Sequence, residues 1–400
     1  MNILSSGENL INLIFAYKFI LLTLVTTKQN LFMRKLAFLL LIPAIALSAC
    51  TCMQKNSPFE KKASDCMATL LAWRDFKTGI WETAGWWNSA NLLTAVVRYS
   101  EVTGSDELYP VIDDLFTRAH HYYVAEEPPR ESWYADNFIG TYYDDEGWWA
   151  LAWIDAYNLT GDARYLEVAE IIFEDLTMSW DELCDGGIYW KKGDMGYKNS
   201  ISSSLFTQAA GRLYEATGDA RYREWFEKGV QWFLDKKLIN EQTFYVEDGL
   251  RKGCVPDSGH YYTYNQGITL GFLAEMYQLS GDGKYLELAE KIADATISPG
   301  SIFVTGDGIL CERNPDIERS GDGVQFKGAF IRNLGRLCEL TGKKEYRDFI
   351  LRNAESIVSK NYDPASRSFG YLWYGPFEGP NAPANSSALE CVIEAYALTK

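Results

Sequence analysis

A chain of 400 residues that is 47% apolar, 14% aromatic and 23% charged, with 12 prolines, can bury a large core and is too apolar to remain disordered. Its net charge of −16 excludes an electrostatic nucleic-acid binder and leaves neutral polymers such as glycans open as ligands. Trp, Tyr and Phe number 13, 25 and 20, more than core filling needs, which points to a surface built for flat apolar ligands.

The first segment reads as export machinery. Met33 opens a run with Arg34 and Lys35, an apolar stretch, and then Leu47-Ser48-Ala49-Cys50, which resembles a bacterial lipobox with Cys50 as the lipidated first residue. The apolar stretch from about Leu10 to Val25, broken by Lys18, reads as sequence upstream of a start at Met33; the alternative, a membrane helix, finds it short. Residues 1–49 are thus expected to be an export signal, 50–58 a short tether and 59–400 one domain. Expected localisation is the cell envelope of a Gram-negative bacterium, on the periplasmic side or at the surface, with membrane contact through the lipid alone. Residues 1–49 carry Glu8 against Lys18, Lys28, Arg34 and Lys35, which leaves 34 basic and 53 acidic residues, a net −19. Besides Cys50, seven cysteines remain, an odd number that argues against a complete disulfide framework, and their spacing suits no zinc site. His120 and His121 fall in an expected outer helix as solvated residues.

Further along, a tag recurs: VTGSDELY from Val102, LTGDARYL from Leu159, ATGDARYR from Ala216, LSGDGKYL from Leu279 and LTGKKEYR from Leu340. The spacing of about sixty residues suits a helical hairpin with one extended loop. Each tag ends one helix on a glycine and opens the next on Asp, Ser or Lys. Helices before the tags, such as WWALAWIDAYNL, are apolar nearly all round and read as inner helices. Those after them show one apolar stripe, as in Tyr165, Val168, Ala169 and Ile172, and read as outer helices. Six such hairpins predict an all-α fold, an (α/α)6 toroid, with the longer Gly- and aromatic-rich loops gathered at one rim.

On that rim, at the start of an inner helix, stands YYDDEGWW, with Asp144 and Asp145 between paired aromatics. Acidic residues favour a first helical turn for the backbone dipole alone, but a cap gains little from desolvation. A carboxyl that must act as an acid gains much from it, and two adjacent carboxyls in unequal surroundings can split their proton affinities as glycoside cleavage requires. Other motifs on the rim are Gly186-Gly187-Ile188-Tyr189-Trp190 and Tyr197-Lys198-Asn199-Ser200, with Tyr262-Thr263-Tyr264-Asn265-Gln266 and Phe326-Lys327-Gly328 entering further inner helices. Each supplies rings or polar groups for a sugar, or equally loop packing and caps; Lys327 reads as well as a structural ion as a substrate contact.

Together YYDDEGWWALAW, GGIYWKKGDMGYKNSIS, YTYNQGITLGFLAEMY and FKGAFIRNL resemble glycoside hydrolase family 76, the endo-α-1,6-mannanases, over nearly the whole mature chain. The resemblance implies an (α/α)6 fold and retaining cleavage of α-1,6-linked mannan, with Asp144 as nucleophile and Asp145 as acid/base. It implies mannose subsites shaped by Tyr143, Trp190, Lys198, Asn199, Tyr264, Asn265 and Gln266. No calcium loop, phosphate cradle or nucleotide fingerprint is present in the sequence, and the reaction needs no cofactor or metal. A closed ring needs no partner, so a monomer is expected. The alternatives are transglycosylation on the same scaffold and a glycan-binding lipoprotein that performs no chemistry.

Overall fold

The five tag glycines decide where the chain turns. Gly104, Gly161, Gly218, Gly281 and Gly342 all close a helix in the left-handed region, with φ between 67° and 74°. A Cβ would meet no atom within 4 Å at any of them, so glycine is there for its backbone freedom and not for room. Asp162, Asp219 and Asp282 then cap the next helix, each accepting the N–H two residues on.

The computed structural model describes residues 57–400 apart from 82, 125–132 and 194–195. Export region, Cys50 and most of the tether lie outside the described residues. Among the described residues twelve α-helices alternate between two layers. The inner ones are α2 (Trp86–Thr103), α4 (Tyr143–Thr160), α6 (Ser200–Thr217), α8 (Thr263–Ser280), α10 (Phe326–Thr341) and α12 (Ala382–Thr399). The outer ones are α1 (Glu60–Ala72), α3 (Tyr109–Ala119), α5 (Ala163–Thr177), α7 (Ala220–Asp235), α9 (Gly283–Ile297) and α11 (Lys344–Lys360). Each inner helix packs on the next, and α12 returns to α2, so the six close a ring with the outer helices around it. This is the (α/α)6 toroid that the repeat predicts.

Burial separates the layers. In α4 every residue from Trp148 to Ala156 is buried, whereas α5 buries the stripe Tyr165, Val168, Ala169, Ile172, Phe173 and Leu176. No helix among the described residues is long and apolar enough to cross a membrane.

Opposite the tight turns the long loops carry short antiparallel strands. β1 (His121–Val124) pairs β2 (Trp133–Asp136); β3 (Lys198–Asn199), β4 (Gly249–Arg251) and β5 (Val255–Pro256) form one sheet in that order; β6 (Tyr362–Asp363) pairs β7 (Ser368–Phe369). The two histidines depart from expectation. α3 stops at Ala119, His120 ends it, and exposed His121 opens β1, where its ring contacts Asp136. Among the described residues one disulfide, Cys184–Cys254, joins the loop after α5 to the turn between β4 and β5, while Cys66, Cys311, Cys338 and Cys391 are free.

Candidate active site

The first turn of α4 has no side-chain cap: Tyr142 before it is extended, and Asp144, Asp145 and Glu146 crowd the free amides instead. The loop after α5 is zipped to this point. The Tyr143 N–H donates to Trp190 O and the Lys192 N–H to Thr141 O, both at 2.9 Å, so Trp190 arrives at the start of the helix. Its indole Nε1 donates to Asp144 Oδ2 at 3.2 Å, whereas Asp144 Oδ1 is enclosed and accepts no hydrogen bond.

Burial pushes the Asp144 carboxyl up to about 7, with Asp322 across the site adding to the rise. The Trp190 indole and the amides of Asp144 and Asp145 pull the other way without cancelling it. Asp145 lies beside it, partly buried.

Rings from four inner helices form a wall nearby. Tyr264 of α8 stacks on Phe326 of α10 at 4.0 Å and 14°. Trp148 of α4 lies 6.4 Å from Tyr264 and 5.8 Å from Trp87 of α2, which is 6.1 Å from Phe326. Trp87 Nε1 donates to Asp322 Oδ1 at 2.8 Å. The Tyr264 phenol is held well above its usual range by burial, then by the charges of Asp248, Asp144 and Asp322, which all face it. Flat apolar surface ringed by carboxylates suits a neutral polyhydroxylated ligand whose ring faces stack and whose hydroxyls donate.

Of the predicted residues, Asp144, Trp190 and Tyr264 meet here. Asn265 stands one layer back, buried, donating to Asp248 Oδ1 at 3.0 Å. Four others serve the scaffold. Tyr143 is buried, with Lys192 Nζ 5.2 Å from its ring. Lys198 is wholly buried and reaches Ser179 O at 3.0 Å, Gly187 O at 2.9 Å and Asp181 Oδ1 at 2.9 Å, so no donor is left for a sugar. Asn199 caps α6 through the Ser202 N–H and donates to Asp248 O. Gln266 bonds both backbone groups of Val246 and the Tyr262 carbonyl, pinning the loop before α8. Lys327 takes the structural side of its two readings, buried against Glu318 and Tyr371 O.

Trp87, Asp248 and Asp322 escape the sequence reading. Trp87 carried a usable signal, because Gly85-Trp86-Trp87 repeats Gly147-Trp148-Trp149 near the start of an inner helix. The two aspartates lie in loops outside the repeat. Among the described residues no three His, Cys, Asp or Glu side chains are grouped to hold a metal ion.

Residues 64–400 match the family described as glycosyl hydrolase family 76. Among curated proteins the chain is 27% identical over 279 residues to the mannan endo-1,6-alpha-mannosidase DCW1 of Saccharomyces cerevisiae, covering 64% of this chain and 61% of that protein. To DFG5 of the same yeast, also a mannan endo-1,6-alpha-mannosidase, it is 31% identical over 209 residues, 48% and 45% of the two chains. It spans about half to three fifths of the length of the curated relatives it matches. Among solved structures, the GH76A alpha-1,6-mannanase of Salegentibacter sp. HEL1_6 aligns with a TM-score of 0.75 at 25% identity, over 86% of this chain and 100% of that one. An inactive variant of that enzyme with two consecutive aspartates replaced by alanine, in complex with alpha-1,6-mannotetrose, aligns at a TM-score of 0.74 and 24% identity over 86% and 99%. On the family match over most of its length, together with the shared toroid, the chain belongs to glycosyl hydrolase family 76.

Proposed function

We propose that the chain is a retaining endo-α-1,6-mannanase, lipid-anchored at the cell envelope through Cys50, with Asp144 as nucleophile and Asp145 as acid/base. The observation that carries this reading is an enclosed carboxyl with one oxygen oriented by Trp190 and the other unengaged, next to a second carboxyl and beside an aromatic wall. Support comes from the relatives' α-1,6-mannosidase names and from the inactivation of the Salegentibacter enzyme's consecutive aspartates. In the first step Asp144 Oδ1 bonds to the anomeric carbon while the glycosidic bond breaks and Asp145 gives its proton to the leaving oxygen. Asp145 then takes a proton from water, whose oxygen displaces Asp144 and restores the starting anomer. Indole and phenol rings hold the pyranose faces, and the aromatic enclosure keeps bulk water from the bond being broken.

The nucleophile must be ionised, and its carboxyl is pushed up to about 7, so on the acid limb kcat/KM falls about tenfold per pH unit below that value, while the alkaline limb is set by the proton that Asp145 must carry. Incubation with linear α-1,6-mannooligosaccharides, with product sizing and NMR of the first-formed anomer, tests the reading. Short oligomers of retained configuration, and labelling of the Asp144 peptide by a fluorinated mannosyl donor, are expected. Binding without shortening would instead make the protein a glycan-binding lipoprotein, and products longer than the substrate would make it a transglycosylase.

A further inference from the structure

Behind the Asp pair lies a second set of charges that the proposed chemistry does not use. Glu146, two residues past Asp144, is fully buried; its Oε1 accepts the Gly140 N–H at 3.0 Å and lies 2.7 Å from Lys192 Nζ. The same ammonium lies 2.6 Å from Asp175 Oδ2 on α5. Burial above all holds the Glu146 carboxyl well above its usual range; Lys192 opposes this and Asp175 beside it adds to it. Of the three only Glu146 is wholly buried; the Lys192 and Asp175 side chains are each 29% exposed.

Its three members sit on three different parts of the site. Glu146 belongs to the turn that carries Asp144, Asp175 to the outer helix behind it, and Lys192 to the loop two residues past Trp190. The loop meets the start of α4 through two backbone bonds, Tyr143 N–H to Trp190 O and Lys192 N–H to Thr141 O, and an isolated bridge between Tyr142 and Lys191. Two backbone bonds at a solvent-facing rim open readily by themselves. A half-buried ammonium held between carboxyls of two helices fixes the loop's end beneath them. Among the described residues the Trp190 ring, 44% exposed, lies near one other ring, Tyr142 at 5.1 Å.

We propose that Lys192, held between Glu146 and Asp175, is a positioning residue that keeps the Trp190 indole N–H on Asp144 Oδ2. The consequence for turnover rests on the mannanase reading above; the effect on Asp144 itself does not. The other groups facing Asp144 are Asp145 on its own helix, Asp322 from the loop before α10 and the Tyr264 phenol of α8, and the Tyr143 phenol faces the cluster. The variants below leave all of these in place.

The test follows the Asp144 carboxyl carbon by 13C NMR, assigned by its loss in D144N, across a pH titration of wild type, W190F, K192M and W190F/K192M. Lysine to methionine removes the ammonium and keeps the stem. Because the indole N–H favours the ionised form, its loss should raise the Asp144 midpoint by about one pH unit in W190F. K192M should follow in the same direction, and the double variant should move no further than W190F alone. In turnover the K192M acid limb should shift upward with it, with kcat lowered roughly tenfold and KM nearly unchanged, and K192R should restore part of both. A purely structural lysine would lower the melting temperature and leave the titration untouched. An unmoved midpoint in folded K192M, or a double variant whose shift is the sum of the two, overturns the proposal. Should K192M not fold, K192Q, which keeps a polar stem among the carboxyls, is read against the same two outcomes. A wild type that cleaves no mannan would overturn the mannanase reading, while the carboxyl titration still decides the role of Lys192.

Discussion

Asp144 at the mouth of the inner-helix ring and the buried carboxyls at the far end of the same helices are met by opposite kinds of partner. Toward the C-terminal ends of the inner helices every such group has an arginine. Asp155 is 3.0 Å from Arg212 and 3.2 Å from Arg336, and Glu275 is 3.0 Å from Arg212. Glu390 is 2.8 Å from Arg332, and Glu394 is 2.8 Å from Arg98. At the mouth, Asp144 meets a neutral indole, helix amides and further carboxylates. A guanidinium satisfies a carboxylate's lone pairs and holds its charge in place, which closes the inner helices around a fixed centre. A neutral donor orients the group and leaves it free to gain a proton or form a bond. The boundary between the two regimes is visible in Arg332, whose guanidinium pairs with Glu390 and lies 5.4 Å from the Trp148 ring of the aromatic wall.

If that contrast is the basis of function, substitutions at the mouth remove chemistry and spare the fold, and substitutions at the far end do the reverse. The largest effect is expected from Asp144→Ala, which should lower kcat on α-1,6-mannooligosaccharides by roughly 10⁴-fold or more with an unchanged circular-dichroism spectrum; residual turnover within a hundredfold of wild type would remove Asp144 from the mechanism. Next comes Arg212→Met. Arg212 is nearly inaccessible and leaves both Asp155 and Glu275 short of a partner, a loss of about 3–5 kcal/mol. Against a typical 5–15 kcal/mol for a whole domain, that should be plain in a thermal melt, while turnover per folded molecule stays near wild type. Equal damage to turnover and melting at both ends would erase the distinction.

How much of this was legible depended on whether a signal was local. A glycine that must be left-handed and an aspartate that caps the next turn act within a few residues, so the tags gave the hairpins, their number and the ring. Asp144 stood out for the same reason: helix start, carboxylate pair and flanking rings are adjacent in sequence. What sequence could not give is the direction in which a polar rim residue points. Lys198, Asn199 and Gln266 sit at inner-helix starts as a sugar ligand would, yet each turns to a neighbouring loop's backbone, because loops that long carry many carbonyls and amides in need of partners. Asp248 and Asp322 were invisible for the converse reason: they reach the site from loops whose path is set by contacts distant in sequence.

The smallest effect is the most discriminating, because one substitution made at both ends should change stability with opposite sign. In the folded protein the Asp144 carboxyl titrates at about 7, against 3.8 without its surroundings. Between those values the folded state holds the proton more tightly than the unfolded one, so stability falls as pH rises through the window and the loss is complete above about 7. Asp144→Asn removes the charge and keeps the shape. It should therefore stabilise the protein by about 2 kcal/mol at pH 8, taking half the full linkage value for partial relaxation, and by little at pH 4. Asp155→Asn removes the charge that Arg212 and Arg336 share, leaving two guanidinium groups less than satisfied, and should destabilise at pH 8 by a similar amount. Melting curves of the two variants at pH 4 and pH 8 check both signs. A gain at the mouth would mean that the site holds its carboxylate against the stability of the fold, as expected where a group is kept for reactivity; a loss there would mean that Asp144 is bound as firmly as the carboxyls at the far end, and the contrast between the two ends would fail.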